Sequence, residues 1–312
     1  NWLVGKRYFV KAQDIVLNTA LGARLLGGMS PLVFHADVPM AQINYSDNLN
    51  VDGVFGERAL RSWREAAGEW FEPEDNADGY VYGDLEIPTS WGFDISLNDL
   101  EPLKAENEAL RAKLDELAPG VRESQIGTRR AELSPEQLDA LETPETLIGE
   151  RYSIKREAEE ATRVAPLEIA DLAPAENRDE ARQIAAQIDL NQERINAIVR
   201  YRLIVNFEYW RMRCDMERLE MADRAHELIY NGNQAYIDSE LLTAEESYRE
   251  GMQLWRELID RYPELLDARD ESEDLMQVIS NYRRILDQQD KVFPQDFILQ
   301  DVVDRWGGTE ND

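Results

Sequence analysis

The sequence predicts a mainly α protein: a long-helix bundle or coiled coil, preceded by a small, irregular, aromatic-rich helical domain. Three observations predict it. Residues 179–238 contain no proline and a single glycine, Gly232. A heptad written through that run puts Ala181, Ile184, Ile188, Asn191, Ile195, Ile198, Arg202, Val205, Tyr209, Met212, Met216 and Leu219 at its two seam positions. Only Asn191 and Arg202 break the apolar rule of such a seam. A shorter heptad precedes it in "LEPLKAENEALRAKLDELA" (100–118).

The 312 residues allow about two domains, and the pattern divides them into three stretches: 1–100, 101–178 and 179–312. In the first, Asn1–Leu26 carries apolar residues at helical spacing (Leu3, Val4, Phe9, Val10, Ile15, Val16, Leu21) and stops at Gly27-Gly28. "SPLVF" then reads as extended, and Phe55–Phe71 as a second helix. "EPEDNADGYVYGDLEIPTSWGFDISLNDLEP" has the Pro, Gly, Asn and Asp content of a loop. Four of the seven tryptophans lie here: Trp2, Trp63, Trp70 and Trp91.

In the second stretch, Leu103, Leu110 and Leu117 fall at one heptad position, and Asn107 and Leu114 at the other. Two heptads are too short to hold a dimer in water, so the expected partner is another helix of the same chain. Pro119-Gly120 ends it. Residues 120–178 read as short helices joined by turns. "SPEQLDAL" opens with Ser at the N-cap and Pro at the first helical position, and "TPETL" repeats the device.

In the third stretch, one helix of about 60 residues would run about 90 Å, so part of it must project or lie along a partner. Its "LIVNFEYW" (203–210) is apolar nearly all round, the mark of a segment covered on several sides. Glu264 to about Lys291 forms a further helix with an apolar side from Leu265 to Leu286. The tail "VFPQDFILQDVVDRWGG" packs into the core or docks on a neighbouring chain.

Between these, "LIYNGNQAYIDSELLTAEESYREGMQLWRELIDRYPEL" resembles one tetratricopeptide (TPR) hairpin, over about 225–263. Gly232 and Ala235 stand where that family packs its first helix closely, Leu241 at the turn, and Ala244, Tyr248 and Gly251 at small-large-small positions of the second. The second helix is some two turns longer than the family's, and no second copy follows. The resemblance implies a protein-contact surface. "PTSWG", "ISLNDLE", "VNFEYWRMRCDME" and "YREGMQLWRELIDRYP" are together similar to uncharacterised acidic helical proteins of planctomycete-type bacteria. That resemblance implies a setting, a bacterial cell envelope or extracytoplasmic space with the cytoplasm as the alternative, and no mechanism.

Composition narrows the chemistry. With 63 acidic and 34 basic residues the net charge is −29. Such a surface repels nucleic acid and anionic headgroups. It suits a solubilising role, or a basic partner or an atmosphere of divalent ions. One cysteine, Cys214, and two histidines, His35 and His226, do not supply a zinc site or a nucleophilic triad. His226 reads as a helix-face residue. No metal and no cofactor is expected. No run of about 20 apolar residues spans a membrane. The chain begins at Asn1 rather than Met, as expected of a processed or partial product with room for a signal peptide or membrane anchor upstream.

"NLNVDGVFGERALRSW" (48–63) raises three readings. Asn48, Asn50, Asp52 and Gly53 match the start of an EF-hand loop, but its twelfth position is Ala59, Glu57 falls at the tenth, and Asp52 alone carries charge. Asp52, Gly53, Phe55 and Gly56, followed by Leu60 and Trp63, resemble a signature of the small helical peptidoglycan-binding domain. The apolar helix which that family carries upstream is absent. The third reading is a turn at Asp52-Gly53 with Phe55 anchoring the helix behind it.

The expected function is therefore that of a non-enzymatic structural or interaction subunit of a larger assembly, with a protein partner or its own copies on aromatic and Met-rich helix faces. The expected contact residues are Phe207, Tyr209, Trp210, Met212, Tyr248, Trp255, Phe297 and Trp306, since Trp and Tyr are common interface anchors. The alternative is a peptidoglycan- or glycan-binding envelope protein. A hydrolase is the weakest reading, because carboxylate pairs in so acidic a chain single out no site.

Overall fold

The computed structural model describes residues 36–71, 81–89, 92–144 and 149–307, and Gly5, Arg7, Tyr8 and Lys11 near the start. Those four are helical. The rest of the helix expected over 1–26, the "SPLVF" segment, Trp2, Trp91 and His35 lie outside the described residues. The fold is mainly α. In chain order the described helices are α1 (Asp37–Val51), α2 (Glu57–Trp70), α3 (Leu100–Leu117), α4 (Val121–Arg130), α5 (Pro135–Glu142), α6 (Gly149–Thr162) and α7 (Pro166–Asp171). There follow α8 (Arg178–Ile204), α9 (Phe207–Glu217), α10 (Glu220–Ile237), α11 (Leu241–Arg261), α12 (Arg269–Gln288) and α13 (Gln300–Trp306). The described strands are two-residue pieces, Ile87–Pro88 and Asp94–Ile95, paired with one another.

The chain divides into two compact units: residues 1–87 with 201–312, and residues 88–200. In the second, the seam of α3 is Leu100, Asn107 and Leu114, all buried. Leu103, Leu110 and Leu117 flank it half-buried. The expected partner within the chain is α8: Leu114 shares a core with Ile169, Ala181, Ile184, Ala185 and Ile188. Asn107 Nδ2 donates to the Ile188 carbonyl at 3.3 Å. The seam written through α8 is buried from Ala181 to Ile198, Asn191 included. Ser134 caps α5 in a full capping box with Gln137, behind Pro135. "TPETL" lies partly outside the described residues.

The run expected as one helix of about 60 residues is three. α8 ends at Ile204 because Asn206 stands in the left-handed region, φ 54°, which asparagine tolerates better than most residues. Extended backbone at Leu219 separates α9 from α10. The fully apolar "LIVNFEYW" is likewise not covered all round: Val205 and Phe207 are buried, while Leu203 and Ile204 are exposed.

Among the described residues of the first unit, two packed groups stand out. Trp63 and Trp70, seven residues apart on one face of α2, are 1% and 0% exposed. Trp70 meets Tyr82 and Phe207 edge-on, with centroids 5.1 and 5.9 Å apart. A buried polar contact joins α1 to α2, Ser46 Oγ to Ser62 Oγ at 2.7 Å, with Gln42 Nε2 donating to Ser62 Oγ at 3.2 Å. The second group lies among α10, α11, α12 and α13. α10 and α11 form the expected hairpin, with the Gly232 backbone against the Tyr248 ring: a Cβ there would lie 2.7 Å from it. The helix expected over 264–291 begins as a 3-10 turn, Pro263–Asp267, before α12.

Candidate functional site

α9 carries four of the eight expected contact residues, Phe207, Tyr209, Trp210 and Met212. On one side, Tyr209, Trp210, Arg211 and Met212 line a cleft of about 780 Å³ with the segment between α11 and α12, including Tyr262, Pro263 and Ala268. Three of the expected contact residues, Tyr209, Trp210 and Met212, therefore meet in one cleft. Charge around it is mixed but mainly acidic, with Glu208, Glu264, Asp267 and Asp270 beside Arg211, Arg261 and Arg269.

The other expected residues are elsewhere. Phe207 is fully buried against Trp70 and Phe71. Tyr248 is fully buried in the hairpin, its hydroxyl donating to Asn233 Oδ1 at 2.5 Å. Trp255 packs against the His226 ring, centroids 5.3 Å apart. Phe297 is buried beside Phe293, and Trp306 Nε1 donates to the Leu266 carbonyl at 3.1 Å. The tail thus packs into the first unit's own core.

Behind α9 lies a charge cluster centred on Arg213, which sequence reasoning missed. Its guanidinium is 2.7 Å from Asp47 of α1, 3.2 Å from Glu271 of α12 and 4.0 Å from Glu217. It also stands over the rings of Trp63 and Trp210, at 5.6 and 5.8 Å, a cation–π arrangement. His226 Nε2 is 2.9 Å from Glu217, and Tyr209 donates its hydroxyl to Glu271 Oε1 at 2.5 Å. Each carboxylate in so dry a place must be paired, or its ionisation becomes costly.

The titrations follow. Burial pushes Asp47 up to about 6 despite the Arg213 charge. Burial also opposes the charge on Glu217, but His226, through its charge and hydrogen bond, and Arg213 outweigh it and hold Glu217 below the usual carboxylate range. For His226 burial acts downward and the Glu217 carboxylate more than reverses it, so its value lies above 6.5. Burial raises the Cys214 thiol, which makes it an inert core residue.

The sequence signal for this cluster was thin. Arg213 and Glu217 have the i, i+4 spacing of a helical ion pair. Asp47 and Glu271, however, are two among 63 carboxylates, and only folding distinguishes them.

The Asp52-Gly53 stretch is resolved as a turn used for internal packing. Asn48 and Asn50 belong to the last turn of α1 and not to a loop, so the EF-hand arrangement is not formed. Gly53 has φ 74°, and a Cβ there would lie 2.6 Å from the Tyr230 ring. Phe55 meets that ring edge-on at 5.6 Å. Gly56 N–H donates to the Asp223 carboxylate at 2.8 Å. Among the described residues no group of three His, Cys, Asp or Glu side chains could hold a metal ion, and no helix is long and apolar enough to cross a membrane.

No protein-family model, curated protein or solved structure matches the chain.

Proposed function

We propose that the chain is a non-enzymatic interaction subunit that docks a basic protein partner along the end of α8 and the cleft of α9. The observation that carries this reading is the exposure of Leu203 and Ile204, 77% and 54%. They directly precede the residues of the cleft in which Tyr209, Trp210 and Met212 meet. Apolar side chains left in water beside a groove mark contact surfaces, and half-buried Tyr and Trp provide anchors at modest entropic cost. A net charge of −29 and the acidic rim favour a partner rich in Lys and Arg, and speed its encounter. The resemblance to acidic planctomycete-type proteins supports an envelope or extracytoplasmic setting.

The test is fluorescence anisotropy with basic amphipathic helical peptides, at two salt concentrations, on the wild type and on the exposed-site variant Leu203→Asp/Ile204→Asp. The expected result is binding that weakens with salt and falls by at least about tenfold in the variant. Absence of binding, or equal binding by the variant, overturns the reading. Light scattering that shows self-association through these residues also overturns it, in favour of a second copy as the occupant.

A further inference from the structure

Next to that cleft, and sharing Asp270 with it, Arg213, Glu217, His226, Tyr230, Trp255 and Glu271 line a cavity of about 470 Å³. Asp270 and Asp274 add to its wall. Four carboxylates, Glu217, Asp270, Glu271 and Asp274, thus face two cationic groups, Arg213 and His226. Acidity alone would say nothing in this chain. The distinguishing observation is Glu271: its residue is 6% exposed, Oε1 accepts from the Tyr209 hydroxyl and pairs in charge with Arg213 Nε 3.2 Å away, and Oε2 is buried with no hydrogen-bond partner. A second buried acceptor on the same wall, Asn50 Oδ1, is equally unpartnered. A buried acceptor without a donor is costly, and two of them beside one cavity call for a ligand that brings N–H groups.

We propose that this cavity binds an alkylammonium group, with Glu271 Oε2 as its counter-ion and hydrogen-bond acceptor and its apolar stem against Trp255, Tyr230 and Ile229. The surplus of carboxylates selects a cation. The two orphaned acceptors select one with N–H donors, and the aromatic and aliphatic wall selects a carbon stem, whose burial against it is favourable. A bare metal ion is a poorer fit, because the carboxylates are held by Arg213, His226 and Tyr209 in no metal-binding geometry. The same chemistry is carried by a free small amine and by a lysine side chain of a partner. The cavity shares Asp270 and the Tyr209–Glu271 hydrogen bond with the α9 cleft, but Leu203 and Ile204 do not line it, so the amine probes test it separately from the docking variant.

Titration of the whole chain, followed by calorimetry and by amide chemical shifts, tests this with n-butylammonium, n-butanol and tetramethylammonium. n-Butylammonium is expected to bind near the millimolar range. The alcohol lacks the charge and tetramethylammonium lacks the N–H donors, so each is expected to bind at least about tenfold more weakly. Glu271→Gln is expected to weaken n-butylammonium by a similar factor. Asp274→Asn, at the edge of the cavity, is a second variant that leaves the Arg213 pairs intact, and it is expected to weaken binding less. Equal binding of all three probes, no binding of n-butylammonium, or unchanged binding in a folded Glu271→Gln overturns the proposal. The comparison of the three probes on wild-type protein decides the matter even if the variant fails to fold. A lysine-containing peptide and its Nε-acetylated form then separate the sources. Selective binding of the unmodified peptide assigns the site to a partner's lysine, and binding of n-butylammonium without the peptide assigns it to a free amine.

Discussion

At the scale of single residues, the cluster around Arg213 illustrates how burial makes a few charges matter in a chain that has many. Surface ion pairs such as Arg269–Glu273 and Lys104–Glu101 are worth little. Arg213 by contrast is 17% exposed and bound to Asp47 and Glu271, which are far apart in sequence, so the guanidinium ties α1, α9 and α12 together. The His226–Glu217 pair gives this network a defined pH response. His226 titrates above 6.5 in the folded chain, so its contribution is fully present below 6.5 and is lost as pH rises through the folded value. Glu217 titrates below 4.5, so its contribution is present above 4.5 and is lost as pH falls through the depressed value. Asp47, raised from 3.8 to about 6, favours the folded state while it holds its proton, so its contribution is lost as pH rises from 3.8 through about 6, before the His226 decline begins. The difference in urea stability between wild type and His226→Gln should therefore be largest at about pH 5.5 and shrink above about pH 7. The His226 charge also lowers Asp47 and Asp274, so their ionisation is costlier in the variant and adds to the difference for as long as His226 is charged. A difference that grows with pH would contradict the assignment.

At the scale of elements, the helices follow the written pattern wherever one face alone had to be apolar. The buried seams of α3 and of α8 up to Ile198 are legible in heptad spacing. The breaks are less so. Asn206 offered a weak signal, since asparagine tolerates positive φ, whereas nothing local marks Leu219, which is extended because α10 must turn onto its own core. The hairpin shows the same dependence on context through its glycines. Gly232 is needed because the rigid, buried ring of Tyr248 occupies the space a Cβ would take. Gly127 on α4 has nothing within 4 Å of such a Cβ. Gly232→Ala should thus destabilise by about 1–3 kcal/mol through overpacking, and Gly127→Ala should stabilise by up to about 1 kcal/mol through helix propensity. Denaturant midpoints of the two variants check the pair of signs; a stabilising Gly232→Ala would mean that the helices do not approach so closely.

For the molecule as a whole, the governing quantity is a net charge of −29 on 312 residues. Self-repulsion of that size opposes the compact state, and salt relieves it, since the screening length falls from about 10 Å at 0.1 M to about 3 Å at 1 M. The thermal midpoint should rise by a few degrees as sodium chloride is raised across that range, although the individual surface ion pairs weaken. A midpoint that falls with salt would show that pairing outweighs repulsion. The first unit is discontinuous, drawing on residues before 88 and after 200. Its stability is therefore tied to a loop closure that local pattern does not announce.

The sequence by itself determined the helical class, the seams of α3 and α8, the closely packed hairpin and the acidic surface, because periodicity, glycine placement and charge are local properties that survive without a fold. Only the tertiary structure decided that Phe207, Tyr248, Trp255 and Phe297 face their own core, that Tyr209, Trp210 and Met212 share a cleft, and that Glu271 is buried with an unpartnered oxygen. Those outcomes depend on which distant face meets which. A side chain reads the same in sequence whether a neighbour 166 residues away covers it, as Asp47 does Arg213, or water does.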